Sequence, residues 1–198
     1  MSNSIPGESP LHHAELEQLI GKTEVGGIVF HEKKLMGHLN LRGNSANSEF
    51  SAGVEKSLGL ALPTIPCSSV SSDFVQIMWL APDEWLIVVD SGNEYDVEQK
   101  LRSNLIGHYA VSDISGAQTL IELSGSHVID FMKKSINYDL HLDSFPVGKV
   151  IGTNFAKASA HILRISEDKF QLVIRRSFSD YVWLWIQQAS QEYGLMIS

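Results

Sequence analysis

The sequence contains a single cysteine, Cys67, and this scarcity limits its chemistry. One thiol excludes an internal disulfide and a cluster of thiolate metal ligands, and it is typical of proteins from a reducing cytosol. Long apolar runs are also absent, since the run at 85–89 is among the longest, so no segment is expected to span a membrane. The N-terminus has neither a basic start nor an apolar stretch, and no secretory signal is visible. We therefore expect a cytoplasmic protein without a membrane segment.

Basic side chains are few, because 15 Lys and Arg stand against 23 Asp and Glu, for a formal charge of −8. Nucleic-acid phosphates need clustered basic residues, so this balance argues against a nucleic-acid partner. The 198 residues, 43% of them apolar, suffice for one compact domain or for two small lobes that share a core. That apolar content also excludes disorder of the whole chain.

The usual signatures of catalysis and cofactor binding are missing as well. No strand is followed by G-x-G-x-x-G, and no G-x-x-x-x-G-K-[ST] occurs. The eight histidines are scattered, with no H-x-x-x-H and no tight cluster with carboxylates. The S-G-S at 124–126 lacks the G-x-S-x-G elbow, which leaves a hydrolase that uses Ser126 without support. We expect no catalytic, cofactor-binding or metal-binding residue in this chain, and interpret it as a binding or assembly module.

What the sequence does contain is a repeated order of apolar periodicities. Strand-like alternation at 38–42 and 74–80, a continuous apolar strand at 85–89 and a final strand at 109–114 are interspersed with helical spacing at 50–60 and 97–106. The second half repeats this order, with strands at 119–123, 158–165, 170–174 and 195–197 and with helices capped by Ser126 and Asp180. Each half indicates β-α-β-β-α-β, so we predict an α+β fold of two consecutive split-βαβ, ferredoxin-like lobes that form a pseudo-repeat. The alternative is a coincidence of spacing between two ordinary α/β lobes.

The predicted boundaries follow from that repeat. Residues 1–14 hold two prolines and little apolar surface, and are expected to form a flexible arm. The first lobe is placed at 15–115 and the second at 116–198, together as one compact unit. The stretches 62–73 and 139–154 are interpreted as long loops, which in compact domains are either functional or mobile.

Tryptophan and arginine, which are enriched at interface hot spots, are concentrated in two short segments. The first, W-L-A-P-D-E-W-L at 79–86, surrounds an acidic turn. The second, R-R-S-F-S-D-Y at 175–181, leads into a helix whose N-terminus attracts anions, so this corner is a candidate for holding a carboxylate. The interface candidates are Arg42, Trp79, Asp83, Glu84, Trp85, Arg175, Arg176, Phe178 and Trp183. The alternative is that the tryptophans only pack the cores of the two lobes.

Several of these segments also carry a family resemblance. The stretches are S-P-L at 9–11, H-L-N-L-R-G at 38–43, W-L-A-P-D-E-W-L at 79–86, D-I-S-G at 113–116 with T-L-I-E-L-S-G at 119–125, D-L-H at 139–141 and R-S-F at 176–178. With these motifs in order over nearly the whole chain, the sequence resembles the gamma subunit of bacterial heterotetrameric sarcosine oxidase. Ala81 stands where glycine is expected in the tryptophan motif, which alters only a tight turn. That family is in turn similar to the folate-binding lobes of the glycine-cleavage T-protein, in agreement with the doubled layout.

The resemblance implies a non-catalytic subunit of a complex that demethylates sarcosine oxidatively to glycine and passes the one-carbon unit to tetrahydrofolate. In such a complex the beta subunit carries FAD, the alpha subunit binds NAD and tetrahydrofolate, FMN lies between them, and the small delta subunit holds zinc. The implied partners of this chain are therefore the alpha, beta and delta subunits, chiefly alpha. The alternative is a free-standing folate-dependent protein of the T-protein type.

Overall fold

A computed structural model describes residues 7–21 and 26–198. The strands are β1 (Ile28–Lys33), β2 (Gly37–Arg42), β3 (Ser69–Ser71), β4 (Val75–Ala81), β5 (Glu84–Val89), β6 (Ala110–Asp113), β7 (Gln118–Ser124), β8 (Val150–Phe155), β9 (Ala158–Ser166), β10 (Lys169–Arg175) and β11 (Leu195–Ile197). The α-helices are α1 (Leu16–Leu19), α2 (Ser48–Leu58), α3 (Glu94–Asn104), α4 (Val128–Ser135) and α5 (Ser179–Ala189). Short 3₁₀ turns cover His12–Ala14, Ser115–Ala117 and Arg176–Phe178.

The strands form two sheets whose orders show the predicted repeat. The five-stranded sheet has the order β3-β4-β5-β2-β6, and the six-stranded sheet has the order β11-β1-β7-β10-β9-β8. Each sheet contains the four strands of one β-α-β-β-α-β unit, with β3 added to the first sheet and β1 and β8 added to the second. When the added strands are set aside, the orders are β4-β5-β2-β6 and β9-β10-β7-β11. In both, the strands of the unit follow the order second, third, first, fourth. The predicted α+β fold of two split-βαβ units is confirmed.

Strand β1 corrects the predicted extent of the first lobe. It pairs antiparallel with β7 and parallel with β11, so it lies inside the six-stranded sheet of the second unit. The side chains of Ile28 and Phe30 point to one face of this strand and are fully buried, which fixes its register in the gap between the two strands. Residues 28–33 were expected to belong to 15–115, and this part of the assignment is wrong. The division at 115/116 otherwise stays a prediction.

Three hydrophobic cores lie between the layers of the fold. Helices α2 and α3 pack on the outer face of the five-stranded sheet around Phe50 and Leu101. Helices α4 and α5 cover the outer face of the six-stranded sheet around Phe131 and Trp183. A smaller core, which includes Leu163, joins the inner faces of the two sheets. The order of layers is therefore helices, sheet, sheet, helices, and the inner faces of the sheets meet each other rather than water.

The N-terminal segment is packed where a flexible arm was expected. Residues 1–6 of the expected arm lie outside the described residues. Of the following residues, Leu11 is only 1% exposed and belongs to the helix-covered core of the six-stranded sheet. The Ser9 hydroxyl donates a 2.9 Å hydrogen bond to the buried carboxylate of Glu32. The expectation of a mobile arm is therefore wrong for this segment, because Leu11 is buried in the core and Ser9 provides a hydrogen bond to the buried Glu32 carboxylate.

Two regions interpreted as loops also contain strands. β8 occupies Val150–Phe155 and pairs with β9, and β3 lies within 62–73 and pairs with β4. The remaining loop before β8 is held by Arg164, which is 3% exposed. Its guanidinium donates to the carbonyls of Leu140 and Phe145 at 2.8 and 3.0 Å. A buried cation with four carbonyl partners, which include those of residues 166 and 167, fixes this loop to the sheet.

Neither predicted helix cap is a side-chain cap. Helix α4 begins at Val128 and has no capping bond from a side chain. The preceding turn depends instead on Gly125, whose φ is +119°. A Cβ added at this position would collide with the backbone carbonyl of Gly27. Asp180 lies in the first turn of α5, where its carboxylate is 2.9 Å from the His13 ring. Backbone approach and the helix dipole, rather than caps, determine these two helix starts.

Candidate functional site

The tryptophan motif forms the β4–β5 hairpin, and its two tryptophans face each other across it. Trp85 is 0% exposed, and its indole Nε1 donates a 2.8 Å hydrogen bond to the carbonyl of Pro63. Its ring lies 6.0 Å from that of Phe50 in the helix-covered core. The expectation that Trp85 contacts a partner is therefore wrong, because its surface is already used within the fold. Trp79 is half-buried against the same core.

The turn between these strands carries the exposed charges of the motif. Arg42 Nη2 and Asp83 Oδ2 are 2.7 Å apart, and both side chains are more than half exposed. Glu84 is half-buried and accepts a 2.7 Å hydrogen bond from the amide of Asn40. An exposed ion pair contributes little to folding, so Arg42 and Asp83 are free to exchange partners at low cost.

The arginine corner follows β10 and also divides into surface and core residues. Arg175 and Arg176 are exposed, and Phe178 is 39% exposed. Trp183 is 5% exposed, and its ring lies 4.9 Å from that of Phe30. The expectation that Trp183 belongs to the interface is wrong, since it fills the core between α5 and the six-stranded sheet.

A cavity between the two sheets brings the two motifs together. It has a volume of about 460 Å³ and is lined by Glu84 from the tryptophan motif and by Arg175 from the arginine corner. Gln118 and His161 add to its polar lining, which also includes Asn40, Thr153, Asn154 and Ser159. Burial lowers the pKa of His161, and the nearby Glu84 opposes this shift only in part, so the imidazole is neutral at pH 7.

Sequence reasoning did not find Gln118 or His161. Each lies on the inner face of its strand, where polar and apolar residues are mixed, and no local motif marks such a position. The available signal was the register: Gln118 is directly opposite Arg175 in the β7–β10 pair. That pairing follows only from the tertiary arrangement of the strands.

Residues 7–21 and 26–198 contain no group of three His, Cys, Asp or Glu side chains that could together hold a metal ion. Within the same ranges, no helix is long and apolar enough to cross a membrane. The lone thiol of Cys67 is partly buried in the segment before β3. What the described geometry offers is therefore surface charge and polar cavities, of which the one lined by Glu84 and Arg175 joins the two motifs.

Comparison with solved structures defines the class of fold. Aminomethyltransferase T of the glycine cleavage system from Bartonella henselae superimposes with a TM-score of 0.65 at 12% identity, over 93% of this chain and 50% of that chain. A chain of the heterotetrameric sarcosine oxidase from Corynebacterium sp. U-96, in complex with pyrrole 2-carboxylate, superimposes with a TM-score of 0.84 at 23% identity, over 94% of this chain and 96% of that chain. The chain thus shares its fold with these two proteins, as the resemblance drawn from the sequence motifs implied.

Sequence comparison identifies the family within that class. The model of the sarcosine oxidase, gamma subunit family matches residues 42–192, and the chain belongs to this family. Sarcosine oxidase subunit gamma from Corynebacterium sp. strain P-1 is 26% identical over 192 residues, which cover 94% of this chain and 91% of that protein. The subunit gamma from an Arthrobacter species is 26% identical over 188 residues with the same coverage. The resemblance drawn from the motifs is confirmed.

Proposed function

We propose that this chain is the non-catalytic gamma subunit of a heterotetrameric sarcosine oxidase. The observation that carries the proposal is family membership over 42–192, together with curated gamma subunits that match over 91% of their own length. In this role the chain supports the oxidative demethylation of sarcosine to glycine, with transfer of the one-carbon unit to tetrahydrofolate. FAD, FMN, NAD, tetrahydrofolate and zinc are then held by the other subunits.

The buried charges of the described residues support a role in holding rather than in catalysis. Glu32 is hydrogen-bonded to Ser9, and the guanidinium of Arg164 donates only to backbone carbonyls. Glu122, 8% exposed, lies 3.5 Å from the Lys33 ammonium and 2.7 Å from that of Lys169. Each of these groups has its bonding capacity taken up inside the fold, as structural charges do.

The alpha subunit is the partner that we propose for the surface of the arginine corner. Arg176 is exposed and donates one long hydrogen bond of 3.4 Å, to the carbonyl of Glu8. Phe178 follows two residues later and exposes 39% of its surface. Arginine and aromatic side chains are enriched among the residues that contribute most to protein–protein binding. Arg176, which makes one long hydrogen bond within the fold, and the neighbouring Phe178 therefore fit an interface. Arg42 at the end of β2, Asp83 in the turn of the tryptophan hairpin and the half-buried Trp79 are proposed as its continuation.

Affinity purification of the tagged full chain from cells that express the oxidase tests the proposal. We expect the chain to co-purify with partners that show a flavin absorbance spectrum. The chain recovered alone, from cells whose sarcosine oxidation does not depend on it, would contradict the proposal. Calorimetric titration with tetrahydrofolate separates the alternative, a free-standing folate-dependent protein, because only that function requires saturable binding to the isolated chain.

Arg176→Ala tests the arginine corner itself. Loss of an interface anchor should weaken partner binding by about 1–4 kcal/mol. The midpoint of thermal unfolding of the isolated chain should change little, because the one internal hydrogen bond of Arg176 is long. Lys100→Ala, at an exposed position on α3, is the matched control and should leave both quantities unchanged. A parallel loss of partner binding and thermal stability in Arg176→Ala would mean that the residue is structural.

A further inference from the structure

The cavity between the sheets opens at the end of the inter-sheet core where β7 and β10 face β2 and β5. Gln118 and Arg175 are register partners on β7 and β10, so their side chains lie side by side on the inner face of the six-stranded sheet. Asn40 and Glu84 line the cavity from the five-stranded sheet. Its volume of about 460 Å³ lies within the range of small-molecule sites.

Several polar groups of this cavity have unused bonding capacity. Arg175 is exposed and lines the cavity, so its guanidinium is accessible to a bound molecule. The side-chain oxygen of Gln118 is shielded from solvent and has no hydrogen-bond partner among the described residues, and Gln118 lines the cavity. A shielded acceptor without a partner costs about 1–3 kcal/mol, so this side chain is not explained by folding stability.

The polar cleft at the opposite end of the inter-sheet core gives a contrast. There Gln76 and Gln171 bond to each other across the sheets at 2.5 Å. The carboxylate of Glu122 is likewise neutralised by two lysine ammonium groups. In that cleft the side chains of Gln76, Gln171 and Glu122 are therefore satisfied within the fold.

The charges of the cavity fit a zwitterion better than a simple anion or cation. Arg175 supplies one positive charge and Glu84 one negative charge, with only one oxygen of Glu84 used by Asn40. His161 is neutral, since burial lowers its pKa. An isolated anion would meet the carboxylate of Glu84, and an isolated cation would meet Arg175. The side chains of Leu80, Ile114 and Val173 form an apolar wall beside these groups.

We propose that this cavity binds a free α-amino acid with an aliphatic side chain. The ligand carboxylate accepts hydrogen bonds from Arg175 and from the amide nitrogen of Gln118, and its ammonium group lies against Glu84. Its side chain packs on the apolar wall. The site is a binding site without chemistry, and it does not depend on the subunit assignment made above.

Calorimetric titration of the full chain with three related probes tests the proposal. L-leucine carries both charges, 4-methylpentanoate carries only the carboxylate, and isopentylamine carries only the ammonium. We expect saturable binding of leucine and binding at least about tenfold weaker for each single-charge probe, since tenfold corresponds to the loss of about 1.4 kcal/mol. No saturable heat with leucine, or equal affinity for all three probes, would overturn the proposal.

Two variants and a control separate a binding role from a structural one. Arg175→Gln should weaken leucine binding by at least about tenfold, whereas Arg176→Gln, at the next exposed arginine outside the cavity, should change it by less than about twofold. Gln118→Leu should also weaken binding, yet it removes the shielded acceptor and should leave the unfolding midpoint unchanged or raised. Unchanged leucine affinity in both cavity variants, or equal losses in Arg175→Gln and Arg176→Gln, would contradict the assignment.

Discussion

Acidification should destabilise this fold through one buried histidine. His38 on β2 is 1% exposed, and both of its ring nitrogens lack a hydrogen-bond partner among the described residues. Burial lowers its pKa from 6.5 to about 4, although the nearby Asp113 carboxylate opposes the shift. Because the imidazole cannot be protonated without placing an unpaired charge in the inter-sheet core, the folded state retains it neutral.

The sign and size of the effect follow from proton linkage. The unfolded chain binds a proton at this histidine near pH 6.5, and the folded chain binds it only near pH 4, so stability falls as the pH drops through this window. The contribution is fully present above about pH 6.5. Integration between the two pKa values gives a loss of about 2.5 kcal/mol at about pH 4.5, which is a large part of the stability of an ordinary domain.

Urea unfolding of the wild type and of His38→Leu, followed by tryptophan fluorescence from about pH 8 to about pH 4.5, measures this term. At the upper pH the two proteins should have similar free energies of unfolding, because leucine replaces a ring that makes no hydrogen bond there. At the lower pH the wild type should be less stable than the variant by about 2.5 kcal/mol. His108→Leu, at an exposed histidine, is the matched control. Parallel curves for wild type and His38→Leu would refute the reasoning.

Three further tests, which use five substitutions, examine the packing described above. Arg164→Lys should lower the free energy of unfolding by about 2–4 kcal/mol, because a lysine cannot reproduce the fork that bonds four carbonyls. Trp85→Phe should lower the free energy of unfolding by about 2–3 kcal/mol, because the hydrogen bond to Pro63 and part of the ring volume are lost. Trp79→Phe, at the half-buried tryptophan opposite, should lower it by less than about 1 kcal/mol. Gly125→Ala should cost more than about 2 kcal/mol, because its Cβ meets a backbone carbonyl, whereas Gly59→Ala meets no atom within 4 Å and should cost about 1 kcal/mol.

Urea unfolding at neutral pH measures all three. An Arg164→Lys protein as stable as the wild type would mean that the carbonyl bonds contribute nothing net. Equal losses in the two tryptophan variants would contradict the assignment of one ring to the core and the other to its edge. Equal losses at the two glycines would show that the positive φ, rather than the close approach of the backbone at Gly125, determines the cost.

The strands and helices of the repeat were predictable because each presents one face to a core. Apolar residues alternate along β2, form a continuous buried run in β5 and recur at helical spacing in α2, so the local pattern was sufficient. β1 also alternates, yet its position depends on pairing with β7, about 90 residues away, and on β11, and no local pattern carries that information. β8 is an edge strand that contains Gly152 and Asn154, both poor strand formers.

The candidate site was predictable only in part for a similar reason. Arg42, Asp83 and Arg176 are exposed, as an interface role requires, and that role stays a prediction; composition cannot distinguish a tryptophan at an interface from one in a core. Trp85 and Trp183 were therefore assigned to the surface, although both are buried. The cavity was missed because its polar residues come from strands of both sheets.

Native mass spectrometry of the assembly purified through the tagged chain is the most direct test of the proposed role. The account predicts a single species that contains one copy of this chain with three different partner subunits and bound flavin. It also predicts that partial dissociation releases this chain without flavin, since the cofactors are proposed to be held by the other subunits. A flavin-bearing oxidase assembly of full composition that lacks this chain, beside the chain as a free monomer, would contradict the account.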